Sequence, residues 1–369
     1  MGLTDLGERQ LRVALVAPEE SFSLRPLSVT EPFRRGDRPT FELADIAREL
    51  GLRLILDRIS RVHPNERVID LERGGALAYD ALIIAVGARP RPAHPRVLTF
   101  DGPDAVPRMR ELVGAVGSGR VASLAFVVTG TWVWPLPMYE LALMTRRRAE
   151  RGRIVLVTPE RAPLELFGER AADMVSKLLD AAQIEVHAGV EPRIAPDARS
   201  VALGTDRGDV EVDRIVTLPL LEGPALDGVP HDDRGFIPID EHCQVPGLER
   251  VYAAGDGTDF PVKHGGLATQ QAHAAVRHLT SQAGGALRPE PFRPVLRGRL
   301  ITTERHQSGE AGAPSGELLW WPPAKVTGRY LSQWVGERTS DRRWSEPPAG
   351  GVSIERLLPP LDPAKPPPR

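Results

Sequence analysis

A carboxylate follows a run of strand-forming residues in VYAAGDGTDFPVKHGG, residues 251–266. The run ends at Gly255, Asp256 comes next, and Lys263 lies shortly before an adjacent pair of glycines. Glycine permits close backbone approach, and an ionised carboxylate accepts strong hydrogen bonds from sugar-like hydroxyl groups. The pattern therefore indicates a site for a hydroxyl-bearing ligand, and an ordinary N-cap or loop aspartate is the alternative.

A predicted helix follows the glycine pair Gly265 and Gly266. It begins near Leu267 and has the sequence LATQQAHAAVRHL. The unpaired N–H groups at the start of such a helix carry partial positive charge and would face an electron-rich ligand edge. Because ligands of doubly wound sheets collect beyond the carboxyl ends of the strands, we expect Asp256 and this helix start at one edge.

The overall composition is that of a globular protein with a balanced charge. The chain has 369 residues, 41% of them hydrophobic, with 47 Lys and Arg against 49 Asp and Glu. This balance gives no global field for nucleic acid or an anionic membrane, so we expect no nucleic-acid partner. No leader and no long apolar run is apparent, which predicts a cytoplasmic protein without a transmembrane segment.

The single cysteine limits the redox chemistry that the chain can perform alone. Cys243 is the only thiol, which excludes an intrachain disulfide, a two-thiol centre and a cysteine-rich zinc site. We expect a structural turn or edge position for it. The nine histidines show no ligand spacing, so no metal site is predicted. Redox activity would therefore require a bound cofactor.

The chain alternates between strand and helix patterns, and one turn occurs twice. LVAPE begins at Leu15 and LVTPE at Leu156, each at the end of an apolar run. Strands are predicted at 11–16, 52–56, 82–86 and 124–128 and near Ile154, Ile184, Ile215 and Val251, with a meander of connecting strands at 58–62, 67–71 and 76–81. Helices are predicted at 41–50, 104–116, 138–151 and 170–183. The alternation predicts an α/β protein with two Rossmann-like, doubly wound domains.

Proline clusters and the repeated turn suggest the domain boundaries. Prolines 90, 92 and 95 mark a linker near 90–100. We predict a discontinuous first domain of residues 1–100 and 236–331 and a second domain of residues 101–235. Residues 346–369 form a Pro-rich tail that is extended or disordered.

Two motifs resemble those of a known family. VYAAGDGTDFPVKHGGLATQQA resembles the second flavin-binding motif of the pyridine nucleotide-disulfide oxidoreductases, flavoproteins with two dinucleotide-binding domains. YDALIIAVGARPRP, from Tyr79, resembles their ATG-type motif between the FAD and NAD(P)H domains. The resemblance covers roughly residues 11–331 and is nearest to sulfide:quinone oxidoreductases and type II NADH dehydrogenases.

The resemblance implies FAD as the cofactor and an oxidoreductase function with an unidentified donor and acceptor. Asp256 would bond a ribityl hydroxyl, and the backbone around Gly266 and Leu267 would approach the pyrimidine end of the flavin ring. Lys263 would favour negative charge on reduced flavin, and Gly87 would close the domain crossover. The electron partners would be small molecules, with quinone as a candidate and a homodimer as a candidate assembly.

The first domain departs from the family pattern at its start. No G-x-G-x-x-G sequence precedes Leu11, so we expect a first domain that lacks its first strand and glycine loop, in a chain truncated at its amino terminus. Ala17 stands where relatives carry an acid for the adenosine ribose; Glu19 is a substitute or a solvated turn residue. Pro26, in SFSLRPL, falls where relatives place residues near the flavin.

The second domain departs at its own fingerprint, VVTGTWVWPLPMYELA from Val127. It keeps Gly130 but has Trp132, Trp134 and Pro135 where glycines are expected, which makes NAD(P)H a doubtful donor. The indoles either pack in the vacated cleft, our preferred interpretation, or stack on another ligand. The alternative function is a non-catalytic remnant of the same fold that binds flavin weakly or binds a partner protein.

Overall fold

The computed structural model describes residues 11–33, 40–130, 134–204, 207–285, 287–300 and 352–357. The part of the chain from Ala14 to Arg91 contains a 3-10 helix, Arg25–Phe33, helix α1, Leu43–Leu50, and nine short strands. The strands are β1 Ala14–Ala17, β2 Ser21–Ser23, β3 Thr40–Glu42, β4 Arg53–Leu56, β5 Ile59–His63, β6 Val68–Leu71, β7 Ala76–Ala78, β8 Leu82–Ile84 and β9 Arg89–Arg91.

The part from Leu98 to Glu222 contains helices α2 Val106–Gly117, α3 Leu136–Arg148 and α4 Glu169–Ala181, with 3-10 turns Pro103–Ala105 and Glu165–Phe167. Its strands are β10 Leu98–Thr99, β11 Ser123–Val127, β12 Arg153–Val157, β13 Glu185–His187, β14 Arg193–Ile194, β15 Ser200–Ala202, β16 Asp209–Glu211, β17 Arg214–Thr217 and β18 Leu220–Glu222. The elements described after Val251 are β19 Val251–Ala253, α5 Gly265–Gln282, β20 Val295–Leu300 and β21 Val352–Leu357.

The second domain is built on a five-stranded parallel sheet. Its order is β10-β17-β11-β12-β13, and helices α2, α3 and α4 connect its strands. Leu124 and Phe126 of β11 are buried in the main core, while Ala125 and Val127 lie in a second core on the other face. This alternation is that of a strand covered on both faces, and it agrees with the doubly wound fold predicted from the sequence.

The first domain contains two parallel strand pairs. In the described part of the chain, β1 pairs with β4 and β8 pairs with β19 as separate two-stranded sheets. The predicted meander is present as the antiparallel sheet β5-β6-β7. The predicted loss of the first strand and glycine loop concerns residues 1–10, which lie outside the described residues, and it stays a prediction.

Several local predictions agree with the structure to within a few residues. Helix α1 ends at Gly51, which has the left-handed conformation at φ 64° that favours glycine. The Pro-rich segment near 90–100 contributes β9, which pairs with β18 and brings Arg91 against Glu222. The small antiparallel sheet β14-β15-β16 was not predicted. Trp320 and Trp321 lie outside the described residues.

The tail predicted to be extended or disordered includes a described strand. Residues 352–357 form β21, which pairs antiparallel with β20 from Val295–Leu357 to Leu300–Val352. The remainder of residues 346–369 lies outside the described residues. The proposed domain boundaries stay predictions.

Candidate functional site

Hydrogen bonds close the turn that carries Asp256 at the end of β19. The Thr258 N–H donates to the Gly255 carbonyl at 3.0 Å, and the Thr258 hydroxyl donates to the same oxygen at 2.9 Å. The Gly255 N–H donates to Oε1 of Gln271, a buried residue of α5, at 2.7 Å. Gly255 has φ 87°, which a side chain would strain. These bonds fix the half-buried Asp256 between the strand and the helix.

The turn of Gly87, at the end of β8, packs directly on the Asp256 turn. A Cβ atom on Gly257 would lie 2.8 Å from the Gly87 carbonyl oxygen and 3.5 Å from Cδ of Pro224. Gly87 itself has φ 73°. The two predicted motifs therefore meet through their backbones, because only a residue without a side chain allows this approach.

Lys263 points into the protein beneath this turn. Its ammonium group donates to the Thr258 carbonyl and lies 3.9 Å from the centre of the Phe236 ring, a cation–π contact. Burial lowers the pKa of Lys263 to about 8, and the nearby carboxylates of Asp256 and Asp259 oppose that shift. The Lys263 ammonium group therefore attracts the carboxylates of Asp256 and Asp259 from inside the protein.

The carboxyl groups of the turn respond to the same burial. Burial raises the pKa of Asp256, and the positive charges of Lys263 and Arg25 oppose the rise. Burial raises the pKa of Asp259 to about 6, and its Oδ1 atom is buried with no hydrogen-bond partner in the described structure. The site thus holds several titratable groups around one ammonium ion.

Helix α5 presents an open amino-terminal end beside the turn. Gly265 is exposed, and a Cβ atom there would meet nothing within 4 Å, whereas Gly266 and Leu267 are buried. His264 precedes the helix with extended backbone and makes no side-chain cap. The positive end of an 18-residue helix therefore faces free space at Gly265.

Arg25 of the SFSLRPL segment acts on Asp256 through its charge. Arg25 and Pro26 are exposed at the start of the 3-10 helix. Arg110 and Arg148 hold the end of that 3-10 helix by donating to the carbonyls of Glu31 at 2.7 Å and Phe33 at 2.6 Å.

Glu19 is exposed beyond β1, and the structure gives it no contact with the Asp256 turn. The structure therefore brings together the predicted residues from Gly87 and from 255–267, with Arg25 and Pro26 on their flank. Within the described residues, Glu19 stays apart from that group.

Comparison with known proteins identifies the family. The family model described as pyridine nucleotide-disulphide oxidoreductase matches residues 3–278, about three quarters of the chain. The chain belongs to this family. Membership makes it an FAD-dependent oxidoreductase and favours that function over the non-catalytic scaffold. A comparison with curated proteins finds no match.

Solved structures of several flavoprotein types share the fold of this oxidoreductase. The sulfide:quinone oxidoreductase of Aquifex aeolicus superposes with a TM-score of 0.68 at 15% identity, over 77% of this chain and 74% of that chain. A ferredoxin reductase of Rhodopseudomonas palustris gives 0.62 at 19% identity, over 80% and 75%. NDH2 of Plasmodium falciparum gives 0.54 at 15% identity, over 70% and 61%.

The residues of the Asp256 turn fit the flavin and ribityl part of FAD. Gly265 offers an uncrowded approach to a positive helix end, and Asp256 offers a hydrogen-bond acceptor. Val86, next to Gly87, is 50% exposed, and Leu56 at the end of β4 is 36% exposed. Apolar side chains at the carboxyl ends of strands are the surface that a bound ring system would cover.

In the second domain, neighbouring side chains bond the carboxylate that follows β12. The Tyr139 hydroxyl donates to Glu160 Oε2 at 2.6 Å, and the Thr158 hydroxyl donates to the same atom at 3.3 Å. Burial raises the pKa of Glu160 to about 7. At Gly130, the position that a Cβ would occupy is 3.2 Å from Cδ2 of Leu220. Gly130 itself is exposed, and the neighbouring Leu220 is 38% exposed.

Trp134 packs, in agreement with the preferred sequence interpretation. Its ring lies against Phe167 and His264 and contacts the main core. Trp132 lies outside the described residues. Sequence reasoning missed Gln271, Tyr139 and Glu160 as structural members of the two sites. The second glutamine of LATQQA was a usable signal for Gln271, since it falls on the helix face that turns toward the strand end.

In the residues that the structure describes, no helix combines the length and the apolar character needed to cross a bilayer. The same residues contain no group of three histidine, cysteine or acidic side chains able to hold a metal ion.

Proposed function

We propose that the turn of Asp256, the turn of Gly87 and the start of α5 bind the flavin and ribityl part of FAD. The observation that carries the proposal is the contact of Gly257 with the Gly87 carbonyl, which sets a half-buried carboxylate beside an uncapped helix end. Bound FAD would supply the capacity to accept and release electrons, singly or as a hydride.

The side chains around this turn would bind different parts of the cofactor or support the turn itself. Asp256 would accept hydrogen bonds from ribityl hydroxyls. The N–H groups at the start of α5 and the field of Lys263 would favour negative charge at the adjacent ring edge. Gln271 and Thr258 would hold the turn in place without touching the cofactor. Glu19 and Pro26 would contribute at the adenosine and flavin ends, as the resemblance implies.

Absorbance spectroscopy tests this site. The purified chain is incubated with excess FAD and desalted, and we expect retained flavin bands. Asp256→Ala should lose most of them, and Asp209→Ala, at an exposed carboxylate of the second domain, should keep them. Equal retention by all three proteins would contradict the assignment of Asp256, and no retention by the unaltered chain would contradict FAD binding.

We further propose that the electron donor is not a nicotinamide dinucleotide. Tyr139 already donates to Glu160, and Trp134 stands in the loop that precedes α3 and packs against Phe167 and His264. Opening this region for a pyrophosphate would require breaking the Tyr139–Glu160 hydrogen bond and displacing the packed indole. Calorimetric titration with NADH and NADPH should give no binding, and stoichiometric micromolar binding would contradict the proposal.

Small-molecule electron partners remain the favoured class, and quinone is our proposed acceptor. Two of the similar structures are named a sulfide:quinone oxidoreductase and NDH2. Sulfide chemistry through a cysteine pair is excluded by the single cysteine. A short-chain soluble quinone should reoxidise the reduced, FAD-loaded protein faster than the same quinone reoxidises free reduced FAD. The cytoplasmic location and the homodimer stay predictions.

A further inference from the structure

Trp134 connects the second domain to the proposed flavin site. It lies on the loop between β11 and α3, and its ring centre is 4.6 Å from that of His264, with 49° between the planes. On another side it meets the Phe167 ring edge-on at 5.5 Å. Such aromatic contacts restrain both partners in one relative position.

His264 is the residue through which this contact reaches α5. Its carbonyl accepts the N–H of Leu267 at 2.9 Å and the N–H of Ala268 at 3.0 Å. The neighbouring Lys263 is buried and bonded to the Thr258 carbonyl. A shift of the His264 ring would therefore move the first turn of α5, including the open approach at Gly265.

We propose that Trp134 is a positioning residue of the proposed flavin site. The indole holds His264, and with it the first turn of α5, in the conformation that receives the flavin. The inference rests on the proposed FAD site and adds an element of that site supplied by the second domain.

The size of the positioning effect follows from the energy of an aromatic contact. Aromatic pairs contribute about 0.5–1.5 kcal/mol beyond the area that they bury, which corresponds to about a two- to twelvefold change in an equilibrium constant. Trp134→Ala should therefore weaken FAD binding by about that factor. Trp134→Phe keeps a ring against His264 and should restore most of the affinity.

The experiment uses the FAD-loaded chain, the two Trp134 variants and Leu220→Ala as a matched control. Leu220 lies beside Gly130, which belongs to the loop between β11 and α3, and the structure gives it no contact with His264. FAD affinity is measured by fluorescence titration and the flavin environment by the visible absorption bands. Circular dichroism and thermal unfolding verify that each variant is folded.

Wild-type FAD affinity and wild-type absorption bands in Trp134→Ala would overturn the inference and leave the FAD site standing. An effect of Leu220→Ala as large as that of Trp134→Ala would also overturn it, because a general disturbance of that loop would then be the cause. If the unaltered chain retained no flavin, the proposed function would fail, and this inference with it.

Discussion

The same five-residue pattern, LV-x-PE, lies in two different environments in this protein. LVAPE ends β1, which pairs only with β4 in the described chain, and its Glu19 is exposed. LVTPE ends β12, which lies between β11 and β13, and its Glu160 accepts a hydrogen bond from the buried Tyr139. The local sequence sets the strand and turn, and the neighbouring elements decide whether the acid meets water or protein.

The contrast extends to the strand ends of the two domains. The first domain leaves Val86, Leu56 and Gly265 exposed. The second domain bonds Glu160 internally through Tyr139 and Thr158. The first edge is the one to which we assign the ligand, and the bonded acid of the second contributes to the stability of the fold.

The largest expected difference is between the two glutamates. Glu160→Ala leaves the buried Tyr139 hydroxyl without its acceptor and should lower the free energy of unfolding by about 2–3 kcal/mol. Glu19→Ala removes an exposed side chain and should change it by less than about 0.5 kcal/mol. Urea unfolding of both variants measures the difference, and equal effects would remove the basis of the comparison.

A smaller loss is expected at the turn of the first domain. Gln271→Leu keeps the volume of the side chain but removes the acceptor of the Gly255 N–H and the donor to Thr258 Oγ1. We expect a loss of about 1–2 kcal/mol in unfolding free energy, with weaker FAD binding. Gln282→Leu, at an exposed position of the same helix, is the control and should be nearly neutral. Loss of stability with unaltered FAD affinity would show that the turn is not part of the flavin site.

The buried acid of the second domain should make stability depend on pH. Glu160 has its pKa raised by burial to about 7 in the folded protein, from an ordinary value of 4.5. The folded state therefore binds more protons than the unfolded state between these values, and stability falls as pH rises through that window. Glu160→Gln keeps an acceptor for Tyr139 and cannot ionise.

The stability of Glu160→Gln relative to wild type should therefore increase by on the order of 1 kcal/mol from pH 5 to pH 8. Thermal unfolding at the two pH values measures the change. Asp259, with its pKa raised to about 6, acts in the same direction in both proteins, so the difference between them isolates Glu160. Parallel pH profiles would contradict the assignment.

The smallest effect on stability is expected at Gly265. A methyl group there meets nothing within 4 Å, so Gly265→Ala should change the unfolding free energy by less than about 0.5 kcal/mol. The same methyl would enter the approach to the helix end and should weaken FAD binding. Gly114→Ala, inside α2 with equally open surroundings, is the control and should leave FAD affinity unchanged. Unchanged affinity in both variants would place the flavin away from α5.

Local patterns predicted most of the framework. The alternation of apolar runs and amphipathic stretches identified α1 to α5 and the principal parallel strands, because each element carries its own periodicity. The sheet β14-β15-β16 was not predicted, because strands of two or three residues carry almost no periodic signal. Asp256 and Gly87 were found through motifs that are continuous in sequence.

The contacts that define the two sites were not available from the sequence alone. Gln271 reaches Gly255 from another element, and Tyr139 meets Glu160 across the crevice of the second domain. The ring contact of Trp134 with His264 joins residues that are far apart in the chain. Such pairs depend on how elements pack, and one sequence without homologues gives no sign of the pairing.

The single thiol of the chain has a practical consequence. Cys243 is fully buried beside β19, and burial raises its pKa, so the reactive thiolate is suppressed. Maleimide reagents should not modify Cys243 under native conditions. The unaltered chain is therefore ready for site-specific dye attachment: a cysteine introduced at an exposed position in each domain would give a donor and acceptor pair without prior removal of the native residue.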